Sequence, residues 1–160
     1  MLQTCMAEYR DELVVIAAGY PGPMHDFLTT HAGLAAQFPT TMTFASYTPE
    51  EIVTIGRHLA SKEHLIVEGA AWELLGAEAA RLQSIPYGNG TLLDAFGNAH
   101  YARDVTAACR RARIRRLHRL APRPRDLEQL LRTNSHILHI SAGDMKHAIA
   151  AAHPAIAVAI

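Results

Sequence analysis

Residues Leu13-Val14-Val15-Ile16-Ala17-Ala18 run apolar without a polar break and end in Gly19-Tyr20-Pro21-Gly22-Pro23, a Gly/Pro turn. A run this short, β-branched at its centre and not alternating with polar residues, reads as a strand buried on both faces, the habit of a parallel sheet. Such a strand needs helices over both faces and neighbours on either side. Only in that setting does burying Leu13, Val14, Val15 and Ile16 contribute about 1.5–3 kcal/mol per side chain. One other segment, 41–47, reads as a strand, with Met42 and Phe44 alternating with polar residues. Most of the sheet is therefore missing.

At 160 residues and 49% hydrophobic, the chain has the length of one globular domain and enough apolar material for a core. A formal net charge of zero gives no global field that would attract nucleic acid or a membrane surface. Cys5 and Cys109 match no disulfide framework or C-x-x-C site and read as small buried hydrophobes. The N-terminus has no charged region followed by an apolar core, so it is not a secretory signal. The apolar tail from Ala148 is interrupted by His153 and Pro154 and is too short to span a bilayer. A cytoplasmic, reduced setting is the expectation.

Leu2, Cys5, Met6 and Tyr9 fall at i, i+3, i+4 and i+7 and predict a short helix leading into the first strand. A chain that opens in mid-helix without a visible cap is expected to start inside a larger domain. Met24, Phe27 and Leu28 space as one helical turn, which Gly33 breaks. The clearest local signal is Thr48-Pro49-Glu50-Glu51: Thr48 suits a cap, Pro49 the first helical position, and Glu51 reaches back to the cap's backbone N–H. The helix begun there turns Ile52, Ile55 and Leu59 inward, and a second carries Trp72, Leu75, Ala79 and Leu82 on one face. Residues 86–90 form a loop, and Gly97-Asn98 introduces the longest helix, about 99–120. Its apolar side is Val105, Cys109, Ala112 and Leu120, while Arg110, Arg111, Arg113, Arg115, Arg116 and Arg119 crowd elsewhere. Ala121-Pro122-Arg123-Pro124 stops it, and Asp126 begins a short helix. Ser141-Ala142-Gly143-Asp144 has the form of a capping box for a last helix ending near Ala152. The predicted fold class is thus an α/β fragment with two parallel strands (13–20 and 41–47) in residues 1–47, an all-α bundle over 48–152 and a tail at 153–160, predominantly α by residue count.

These residues carry a resemblance. The 13–21 strand and turn, Gly33-Leu34 leading to Phe38-Pro39-Thr40, the Tyr47-Thr48-Pro49-Glu50-Glu51 helix start, and Phe96-Gly97-Asn98-Ala99 followed by Arg103 resemble, in the same order, AAA+ ATPases of the CbbX/EccA/SpoVK group. That group includes Rubisco activases and the cytosolic ATPase of type VII secretion, to which the sequence is most similar. The resemblance implies the fourth and fifth strands of a five-stranded parallel ATPase sheet, then a helical lid. In the family's sheet order another strand, the one that delivers the phosphate loop, lies between those two. No Gly-Lys-Ser/Thr phosphate loop occurs in this sequence, and the acidic pair that holds magnesium would precede Met1. The chain alone is therefore expected not to hydrolyse ATP, although ATP and Mg2+ serve the full-length family.

Carried over position by position, the resemblance puts Tyr20 where a residue after the fourth strand orients the attacking water; a strand-end tyrosine covering the core is the equal alternative. It puts Gln37, in His31-Ala32-Gly33-Leu34-Ala35-Ala36-Gln37-Phe38, at the position of an arginine finger that acts on a neighbouring subunit. Losing such a finger typically costs about 10³–10⁵ in rate. The lid motif Gly-Asn-Ala-Arg reads Gly97-Asn98-Ala99-His100, and an imidazole is a poorer phosphate clamp than a guanidinium. Arg103, one turn on, is kept and is the candidate substitute. Glycines, caps and apolar positions match while two phosphate-touching arginines do not, the pattern of a truncated or decaying ATPase copy or of a lid fragment retained without catalysis. Implied partners are homologous subunits of a hexameric ring and a protein client remodelled by the ATP cycle.

Rival readings rest on other residues. Residues 103–125 hold nine arginines and one acid, Asp104, which would suit phosphate neutralisation in a nucleic-acid-binding module. No recognition motif or aromatic interleaving accompanies them, so a solvated face, or one facing an acidic neighbour in the ring, is the favoured account. A non-catalytic chain that docks on ATPase rings through its lid is the third reading. His136, His139 and His147 lack a thiolate nearby and read as solvated or capping histidines rather than metal ligands. His25 and Asp26 are sequence neighbours that point apart on a helix. Trp72 reads as core or an intersubunit contact.

Overall fold

A computed structural model describes residues 2–9, 11–30 and 33–153, with only the backbone described at Gln3. His31 and Ala32 of the finger segment, and most of the apolar tail, lie outside the described residues. The chain divides into two compact units, Met1–Phe44 and Ala45–Ile160. It is mostly α-helical.

The first unit contains α1 (Leu2–Glu8), α2 (Pro21–Thr30) and a 3-10 turn at Ala35–Gln37. Both segments expected to be parallel strands, 13–20 and 41–47, lack strand pairing, which is the main correction to the sequence reading. Val14 and Ile16 are 85% and 88% exposed and Phe44 is 84% exposed. The cause is physical. A strand exists through hydrogen bonds to a neighbour, and the described residues offer neither segment a partner. Periodicity reports burial in a completed sheet, not whether the sheet is there.

The second unit matches its local signals closely. Thr48 accepts a hydrogen bond from the Glu51 N–H while the Glu51 carboxylate accepts from the Thr48 N–H, and α3 runs Pro49–Lys62. The remaining long helices are α4 (Gly69–Gln83), α6 (Ala99–Leu120), α7 (Pro124–Thr133) and α8 (Ala142–Ala152), with the one-turn α5 at Leu92–Ala95. Ser141 and Asp144 form the reciprocal box that opens α8. Within the 86–90 loop a minimal hairpin appears: β1 (Pro86–Tyr87) pairs antiparallel with β2 (Gly90–Thr91) across Gly88-Asn89.

The core lies where α3, α4, α6 and α8 meet. Ile52 and Ala60 of α3 face Trp72, Leu75, Ala79 and Leu82 of α4, with Tyr101, Val105 and Cys109 of α6 and Met145 of α8 closing the cluster. The stripe expected for α4 is therefore its inner face, whereas α3 buries Ile52, Gly56 and Ala60, with Ile55 only partly buried and Leu59 outside the cluster. Leu120 differs: it is exposed, two turns beyond Ala112, the last buried residue on α6. Ile140 is fully buried and ties the 66–68 segment to the start of α8, accepting from Glu68 N and donating to Ile66 O. Both cysteines are free, and burial pushes the Cys109 thiol up to about 12. Among the described residues, no helix is long and apolar enough to cross a membrane.

Candidate functional site

Gly97, Asn98 and His100, the residues expected to carry the lid motif, sit in the turn between α5 and α6 and at the start of α6, and the turn's geometry explains the first two. Thr91 caps α5, its hydroxyl accepting from Asp94 N–H while the Asp94 carboxylate accepts from Thr91 N–H at 2.8 Å. At the other end, Asn98 N–H donates to Leu93 O at 3.1 Å and Gly97 N–H donates to Asp94 O at 2.9 Å. That pair of bonds closes a helix by the Schellman pattern, which requires a left-handed residue next to the last helical one. Gly97 supplies it, at φ 80°. Asn98 follows at φ 53°, a second left-handed residue, and its side-chain amide donates to Asp94 Oδ1 at 2.9 Å instead of capping α6.

Asp94 is thus the hub of the turn. Its carboxylate also accepts from the Ser46 hydroxyl. Burial opposes its ionisation, but hydrogen bonds from Ser46, Asn98 and Thr91 outweigh that and hold the carboxyl far below the usual carboxylate range. Sequence reading passed over Asp94. The Thr91-x-x-Asp94 spacing was its signal, hidden by the neighbouring turn residues.

His100 and Arg103 are exposed on the opening turns of α6, and Arg103 Nε lies 3.1 Å from Asp104 Oδ1. Asn98 Oδ1 is buried without a hydrogen-bond partner. The structure therefore brings Gly97, Asn98, His100 and Arg103 together, two as turn builders and two facing outward. Tyr20 and Gln37 belong to the other unit. Tyr20 is exposed, and its carbonyl accepts from Met24 N–H at 2.9 Å where α2 begins; Gln37 is half-buried in the 3-10 turn, its N–H donating to Leu34 O at 2.9 Å.

No family model matches the sequence, and no solved structure does. Curated proteins do match. The ESX-1 secretion system protein EccA1 of Mycobacterium tuberculosis is 32% identical over 148 residues, which is 92% of this chain and 25% of that protein. EccA1 of Mycobacterium leprae is 33% identical over 148 residues, with the same coverage. The ESX-3 secretion system protein EccA3 of Mycolicibacterium smegmatis is 34% identical over 151 residues, 91% of this chain and 24% of that protein. The chain is an EccA homologue. It spans about a quarter of the length of these curated relatives.

This EccA homologue also has a built ion pair that the sequence reading placed among surface arginines. Arg116 donates through Nε and Nη2 to both carboxylate oxygens of Asp144, at 2.8 to 3.0 Å, through Nη1 to Ile137 O at 3.0 Å and through Nη2 to His139 O at 2.8 Å. Asp144 is almost fully buried. Burial raises its pKa, but hydrogen bonds from Arg116 and Ser141 prevail and hold it below the ordinary carboxylate value. The pair fixes the loop before α8, so Arg116 serves the fold. His136 and His139 stand in edge contact in that loop, ring centroids 4.6 Å apart, and Arg57 lies over the Trp72 ring at 5.8 Å. Among the described residues, no three His, Cys, Asp or Glu side chains gather as metal ligands.

Proposed function

We propose that residues 1–160 supply the end of the α/β core and the helical lid of an EccA-like AAA+ ATPase. In a complete assembly of this kind ATP binds between core and lid, and hydrolysis moves one against the other to remodel a protein client in type VII secretion. The observation that carries the reading is the match to EccA proteins across nine-tenths of the chain.

The donor set suits one part of an ATP site. His100 and Arg103, three residues apart on the exposed opening turns of α6, are able to offer two donors to a phosphate oxygen. It does not suit magnesium: Asp94 and Asp104 are already engaged, and no Gly-Lys-Ser/Thr loop is present. Residues 1–160 by themselves therefore do not turn over ATP. In the ring they contribute Arg103 and His100 to nucleotide contact, Tyr20 to orientation of the attacking water, and Gln37 where a finger would reach the neighbouring subunit. The working setting is a cytoplasmic ring of homologous subunits.

Two measurements test this. ATP turnover by the purified chain is expected to equal the no-enzyme rate; turnover that follows the protein through purification would overturn the reading. The second replaces the matching quarter of an EccA protein with residues 1–160. The chimera is expected to hydrolyse ATP poorly, and Gln37→Arg to restore about 10³–10⁵ in rate if position 37 is the finger. No gain from Gln37→Arg with His100→Arg in a folded, ring-forming chimera would remove both assignments.

A further inference from the structure

The arginines of α6 are not used alike. Arg110 Nη1 lies 3.3 Å from Glu63 Oε2, Arg113 donates to Leu138 O at 3.2 Å, and Arg116 holds Asp144. Arg111, Arg115 and Arg119, spaced four apart on one exposed row, have no ion pair or hydrogen bond among the described residues. Like charges at that spacing oppose one another and cost a helix stability. Among the described residues no acid pairs with them: Glu63 and Asp144 are taken, and α8 presents Lys146 and His147.

The same row borders a groove of about 430 Å³ between α6 and α8, lined by Ala112, Ile114, Arg115, His118, Arg119 and His147. Ile114 is 55% exposed there, a large apolar side chain among cations. We propose that this groove is a docking site for an acidic linear segment of a partner protein, with an apolar side chain between its carboxylates. Charge complementarity selects the acid, and Ile114 with Ala112 selects the apolar residue. Arg111 to Arg119 spans about 12 Å at ~1.5 Å per residue, the reach of about four extended residues at ~3.3 Å each. The matching segment is therefore acid, apolar, any residue, acid. A polynucleotide would use the arginines but has no use for Ile114. The proposal is independent of the ATPase reading.

The test uses the full 160-residue chain and two fluorescein-labelled octapeptides of equal charge, Glu-Glu-Leu-Glu-Glu-Leu-Glu-Glu and its Leu-to-Ser counterpart, with a 20-mer of thymidylate as the other class of polyanion. At near-physiological salt the leucine peptide is expected to bind about tenfold tighter than the serine peptide. Arg115→Glu with Arg119→Glu should weaken it a further tenfold or more, and Ile114→Ser should abolish the leucine preference, with the helical circular dichroism unchanged. Should the charge-reversed protein unfold, Ile114→Ser alone decides. Equal affinity for the two peptides, no effect of the variants, or binding of the oligonucleotide without the peptide would each overturn the proposal.

Discussion

Arg116 and Asp144 lie 28 residues apart, and their pairing decides how the loop before α8 is held. Removing one partner of a buried pair leaves the other charge uncompensated, at about 3–5 kcal/mol. Arg116 keeps 21% of its side chain exposed, so Arg116→Ala should cost about 3 kcal/mol in urea unfolding at neutral pH, the low end of that range. Arg116→Lys should recover only part, because an ammonium cannot make the forked contact. The pH dependence follows from the direction of the Asp144 shift. Its folded pKa is depressed, so its contribution is complete above the unfolded value of about 3.9 and is lost as pH falls through the folded one. Asp144→Asn should therefore lower stability at neutral pH and flatten the acid limb relative to wild type. An unchanged acid limb would mean that other carboxylates set it. None of this was legible in the sequence, where an arginine among nine looks like its neighbours. Only the fold says which one finds a buried acid.

Among elements, the boundaries were readable wherever a short motif carries its own chemistry. The boxes at Thr48/Glu51 and Ser141/Asp144 each satisfy orphan N–H groups within four residues, and α3 and α8 begin beside them. The inward stripe of α4 was equally plain, since a 3.6-residue period survives any arrangement of neighbours. How closely α3 approaches α4 was not legible. A Cβ built on Gly56 would sit 2.9 Å from Trp72 Cζ3 and 3.2 Å from Leu75 Cδ2, against a core ring and a fully buried leucine. Alanine normally stabilises a helix interior by about 1 kcal/mol over glycine, whereas overfilling a packed interface costs about 1–3 kcal/mol. Overpacking should win here. Gly56→Ala is expected to lower the melting temperature, and Gly56→Ala with Trp72→Phe to regain part of the loss if the ring is the obstacle. A higher melting temperature for Gly56→Ala alone would show that α3 and α4 separate at little cost.

At the scale of the whole chain, the two units differ in what holds them. In Ala45–Ile160, four helices share one buried cluster. In Met1–Phe44, Leu34 is the one apolar residue buried among the described residues, while Val14, Ile16, Met42 and Phe44 are exposed. The apolar run of residues 13–18 therefore describes a need rather than an element. Its residues are those of a buried strand, but burial and pairing come from strands far away in sequence or from another chain, and no local pattern supplies them. Segments with few buried contacts open at low free energy, and proteolysis follows the open population when opening is fast. Brief digestion with thermolysin, which cuts before large apolar residues, should therefore cleave first around Val14–Ile16 and Met42–Phe44 and leave a resistant helical fragment beginning near Ala45. Adding the remainder of an EccA protein in trans is expected to protect the first of these sites if it supplies the neighbours that the composition of segment 13–20 calls for. Cleavage within α3 or α4 at the same rate as at Ile16 would refute the difference between the units. Resistance of 13–20 in the chain alone would mean that another copy already covers it, and the mass in solution would then be a multiple of 17.5 kDa.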